Sequence, residues 1–69
     1  MDYSDLEAVR LQRAILSLPT KQQLAFNLRY YDELTYDEIA RITDSTAAAA
    51  KANYHTAKEK IIEYMNQND

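Results

Sequence analysis

Apolar residues along this chain recur at three- and four-residue intervals, and polar punctuation divides them into four stretches. Leu11, Ile15 and Leu18 mark the first stripe and predict a helix from about Asp5 to Ser17. Pro19 ends it, because the proline ring pushes the preceding residue out of helical geometry. A second helix is predicted from near Thr20. It carries Leu24, Ala25, Leu28 and Tyr31 on one side, with Phe26 beside them, until Asp32 and Glu33 break the pattern. Nothing reads as a strand: there is no sustained alternation and no Asn-Gly or Asp-Gly hairpin turn, and the chain contains no glycine at all.

The third start is the best defined. Thr35-Tyr36-Asp37-Glu38 forms a capping box, in which the Thr35 hydroxyl accepts from the Glu38 amide while the Glu38 carboxylate reaches back. Asp37 and Glu38 also lie at the positive end of the helix dipole. This helix must be short, because Thr43-Asp44-Ser45-Thr46 is dense in residues that prefer caps and turns. Ser45 or Thr46 then caps a last helix running to about Met65. Two helices joined by so short a turn form a helix-turn-helix, here over about residues 35–64. The expected fold is therefore all-α, a small four-helix domain spanning 1–69 and containing a helix-turn-helix. Such spacings also occur in plain bundles with no DNA role.

At 100° per residue, Ala50, Tyr54, Ala57 and Ile61 of the last helix share a narrow arc and are expected in the core. The opposite arc holds Ala48, Ala52, His55, Thr56 and Glu59. Lys51 and Lys58 flank it on one side, and Ala49, Asn53 and Lys60 on the other. Alanine there serves helix propensity, and it also lets a helix sit deep in a major groove and touch a thymine methyl. Lysine and threonine suit phosphates, whereas asparagine can bond an adenine edge twice.

Composition narrows the picture. Sixty-nine residues make one domain at most, with a core kept thin because much of the 46% apolar content is alanine and tyrosine. The absence of cysteine fits a reducing compartment. No apolar run approaches the roughly 20 residues of a membrane span, and the acidic start lacks the layout of a secretion signal, so a soluble cytoplasmic protein is expected. The net charge of −3 argues against an indiscriminate nucleic-acid binder. Between Ser45 and Ile62, however, Lys51, Lys58 and Lys60 face Glu59 alone. With no glycine for a phosphate loop, no cysteine and a single histidine, neither an enzyme nor a metal or other cofactor site is expected.

Three segments, Leu18-Pro19-Thr20-Lys21-Gln22-Gln23, Phe26-Asn27-Leu28-Arg29-Tyr30 and Leu34-Thr35-Tyr36-Asp37-Glu38-Ile39-Ala40, resemble the C-terminal region 4 of bacterial sigma factors. The extracytoplasmic-function group is the most similar, and the resemblance covers roughly Leu11 to Tyr64. It implies a cytoplasmic transcription-initiation factor whose last helix, here Thr46 to Tyr64, reads the promoter −35 element. Another surface of the domain would contact the β-flap of RNA polymerase, and an anti-sigma factor is a further implied partner. By position, Lys51 falls on the family's basic residue and His55 on its frequent histidine, while Arg29 and Thr35 fall where backbone phosphates are approached. A sigma factor also needs a region 2, so the chain is expected to be part of a longer protein.

This chain departs from the family pattern at three places. Asp44 stands where glycine is usual and is expected to take positive φ, which aspartate tolerates at a cost on the order of 1 kcal/mol. Ala47-Ala48-Ala49-Ala50 replaces a more varied segment. Asn53 and Thr56 stand in place of two arginines, removing bidentate donors to guanine and phosphate and predicting weak binding by the isolated domain. The expected DNA-contacting set is Arg29, Thr35, Thr46, Ala48, Ala49, Lys51, Ala52, Asn53, His55, Thr56 and Lys58. Two alternatives stay open: a protein-interaction module that has lost base reading, and the output domain of a response regulator, against which Pro19 speaks.

Overall fold

The computed structural model describes residues 3–67, with side chains from Leu6 onward. The ends of the expected 1–69 domain lie outside the described residues. Four helices are present, α1 (Tyr3–Leu16), α2 (Thr20–Tyr30), α3 (Tyr36–Thr43) and α4 (Ala47–Asn66), and no strand among the described residues. The all-α four-helix expectation holds.

Helix α1 closes by tightening: the Ser17 hydroxyl donates to the Ala14 carbonyl at 2.7 Å, and the Leu18 amide to that of Ile15 at 3.1 Å. These bonds satisfy carbonyls that the helix end would leave open. Pro19, extended at φ −56° and ψ 151°, starts α2 without a side-chain cap. The turn into α3 reverses at Glu33, whose φ is 57°, so that the Leu34 amide reaches back to the Leu28 carbonyl at 3.0 Å.

Helix α4 packs against each of the other three, and most extensively against α2 and α3. One core cluster joins Ala14, Ile15 and Leu18 to Phe26, Ala57 and Ile61; a second joins Ala25, Ile39 and Ala50. Tyr54 packs against both. Among the described residues, five of the ten buried apolar ones are alanine, which draws the helix axes together but offers little side-chain area. The thin core anticipated from composition is what forms.

The α4 stripe lies as expected, with Ala50, Ala57 and Ile61 buried and Tyr54 half-buried. The inward face of α2 differs. Phe26, expected at the edge, is only 4% exposed, whereas Leu24 and Tyr31 are 41% and 49% exposed. A helix wedged between α1, α3 and α4 has no single buried stripe, and Phe26 fills the space between α1 and α4.

Candidate nucleic-acid interface

The capping box at Thr35 forms in full. Its hydroxyl accepts from the Glu38 amide at 3.1 Å, and the Glu38 carboxylate accepts from the Thr35 amide at 2.9 Å. The Thr35 amide foremost, and then the Thr35 hydroxyl, hold the Glu38 carboxyl below its ordinary value; Arg41 adds a smaller pull and desolvation opposes it. Helix α3 is thus fixed at its start by local chemistry alone.

Its end is fixed equally locally. Asp44 adopts the left-handed conformation expected of it (φ 52°, ψ 52°), which turns the Ser45 amide onto the Ala40 carbonyl at 2.9 Å. The Thr43 hydroxyl donates to the Ile39 carbonyl at 2.8 Å and lies 2.8 Å from the Ser45 hydroxyl. Three residues, Asp44 to Thr46, connect the helices. Thr46, rather than Ser45, caps α4, its hydroxyl accepting from the Ala49 amide at 3.0 Å. The amides of Ala47 and Ala48 remain at the open positive end of α4.

The structure gathers much of the expected contact set at that end. Thr46, Ala48, Lys51, Ala52 and His55 are exposed, while Ala49, Asn53 and Thr56 are half-buried along the same turns. The His55 ring meets the Tyr54 ring edge-on at 5.7 Å. Further along, exposed Glu59 and Glu63 occupy the outward arc. Carboxylates facing a phosphate backbone repel it, so the usable face is confined to the first half of the helix.

Three members of the set sit apart from this face, and one of them, Thr35, is the cap of α3. Arg29 is half-buried on α2; its Nη1 donates to the Leu34 carbonyl at 3.0 Å and its guanidinium carbon lies 4.8 Å from the centre of the Tyr36 ring. Lys58 lines a groove with Leu11, Phe26, Tyr30, Tyr54, Ile61 and Ile62, a cavity of about 230 Å³ between α1, α2 and α4. Phe26 stacks with Tyr30 at 5.1 Å and with Tyr54 at 5.9 Å along its wall. The sequence marks Tyr36 only within the capping-box and family-like segments and does not foretell this groove. Tyr30 and Ile62, at 55% and 50% exposure, were the signal, being large apolar residues outside the core stripes.

Compared with known proteins, the chain matches the family described as Sigma-70, region 4, over residues 8–61. It belongs to that family. No curated protein and no solved structure matches it. Sigma-70 region 4 binds the −35 promoter element within the RNA polymerase initiation machinery and is not an enzyme, so the paired acids Asp37 and Glu38 are helix-cap charges. No helix of this region 4, among the described residues, is long and apolar enough to cross a membrane.

Proposed function

We propose that this chain is the region 4 of an extracytoplasmic-function sigma factor, working in the cytoplasm, and that it docks on the −35 element through the first half of α4. The observation that carries the reading is the capped, small-residue, outward end of that helix. There Ala48, Ala49 and Ala52 permit close approach to the major groove, while Thr46, Lys51, Asn53, His55 and Thr56 supply polar contacts. Thr35 presents its cap to a neighbouring phosphate, and Lys58 contributes only long-range attraction. With no arginine in α4, about three to five phosphate contacts are available. Affinity is then low and steeply salt-dependent, and the rest of the sigma factor and the polymerase provide the remainder through tethering.

The apolar groove around Tyr30 and Ile62 favours a second activity of the same domain. It suits an apolar helix of the polymerase β-flap, and an anti-sigma factor would compete by covering it. Titration of the labelled domain with −35-type duplexes should shift the amides of residues 46–56. If nothing moves there while a β-flap peptide shifts groove residues, the domain is a protein-interaction module and the DNA reading fails.

A further inference from the structure

We propose that Arg29 is a positioning residue for the reading helix rather than a ligand of DNA phosphate. The inference deepens the −35-reading assignment and rests on it. The Arg29 guanidinium is committed twice, to the Leu34 carbonyl at 3.0 Å and to the face of Tyr36 at 4.8 Å. Leu34 lies in the segment joining α2 to α3 and Tyr36 opens α3, so the two partners stand on either side of the Thr35 cap. Within the loop that Arg29 closes lies Glu33, held at φ 57°, a conformation that non-glycine residues adopt only when their surroundings require it.

Tyr36 carries the constraint onward. Its ring tilts against that of Tyr54 at 6.3 Å, and Tyr54 stands between Asn53 and His55 on α4. Arg29, Tyr36 and Tyr54 thus form a continuous contact from α2 to the inward side of α4, behind Asn53 and His55. A planar guanidinium can donate to the carbonyl and lie over the ring at once. A lysine ammonium is a point charge and does not reproduce both, although it serves a phosphate well.

That difference supplies the test. Wild type, Arg29→Lys, Arg29→Ala and Tyr36→Leu are compared at a temperature where melting curves show each folded. The probes are a duplex enriched from a random pool by the wild-type domain and a scrambled duplex, over a series of salt concentrations. All three variants should lose discrimination between the duplexes by roughly tenfold, the size expected for a lost cation–π and charged hydrogen-bond pair. The slope of log affinity against log salt should stay at the wild-type value in each. A phosphate ligand behaves otherwise: Arg29→Ala lowers the slope by about 0.9 while Arg29→Lys restores binding, and that pattern overturns the proposal.

If the wild-type domain enriches no duplex, the −35 assignment fails, and the positioning role is decided on the free domain. Arg29→Lys must then move the Tyr36 and Tyr54 ring-proton resonances together with the Glu33 and Leu34 amides. Unmoved ring signals overturn it, as does a folded Tyr36→Leu variant that leaves the Asn53 and His55 amides in place.

Discussion

The hydroxyls of Thr43 and Ser45 lie 2.8 Å apart across Asp44, the residue that turns the chain from α3 into α4. A tight reversal made of Asp44, Ser45 and Thr46 does the work usually given to a glycine. Replacing Asp44 by glycine relieves the left-handed strain, opposed by the greater freedom glycine gives the unfolded chain. Asp44→Gly should therefore be neutral to about 1 kcal/mol stabilising. Chemical denaturation measures this, and clear destabilisation would show that the aspartate side chain contributes something the backbone geometry does not reveal.

Stability should fall in acid partly through Glu38. Its carboxyl is held below the ordinary value of 4.5 by the Thr35 bonds, so its contribution is fully present above that pH and disappears as pH falls through the lower, folded value. Glu38→Gln can still cap but cannot titrate. The difference in melting temperature between wild type and Glu38→Gln should be constant from neutral pH to about 5 and shrink below 4.5. Thr35→Ala, which removes the other half of the box, should cost about 1 kcal/mol at neutral pH, or roughly 4–8 °C.

Glu59 and Glu63 bound the proposed reading face of α4 with negative charge. Glu59→Gln should raise DNA affinity about two- to fivefold at low salt, an advantage that fades as salt screens it. Filter-binding or fluorescence titration at two salt concentrations checks both parts, and an unchanged low-salt affinity would place the DNA elsewhere on the domain.

Groove and reading face should be separable. Ile62 is half exposed at the edge of the groove and away from the alanine-rich end of α4. Ile62→Asp puts a charge where an apolar partner must be desolvated and should weaken binding of a β-flap peptide at least roughly tenfold. DNA affinity should fall by less than about twofold, the size of a distant charge effect at moderate salt. Equal losses for both ligands would mean that the two surfaces are one.

How far the fold could be read from the sequence depended on how local its causes are. The start of α3 was legible because Thr35 and Glu38 need only each other, and the turn because Asp44 is bracketed by residues that cap. The α4 stripe was legible because one helix face meets one continuous core. Phe26 was misplaced because its burial depends on where α1 and α4 lie, which no spacing within α2 encodes. The left-handed Glu33 follows from the bonds that Leu34 makes to Leu28 and Arg29, contacts visible only once the loop is closed. For the site, helical angles were enough to put Ala48, Lys51, Ala52 and His55 on the exposed side of α4, but they could not show that α2 would turn the flank around Lys58 into a groove.

Arg10 donates from one nitrogen to the carbonyls of Met65 and Gln67, at 3.2 and 3.1 Å, tying the first helix to the end of the last. Those partners lie 55 and 57 residues from Arg10 along the chain, whereas the bonds shaping α3 and its turn span five residues or fewer. Closing the long loop costs entropy that only a nearly complete core can offset, so α1 should dock after the helix-turn-helix has formed. Arg10→Ala should then accelerate unfolding while leaving the refolding rate almost unchanged in stopped-flow measurements. The tie would act as a latch on the finished domain, setting its lifetime rather than the speed at which it is made.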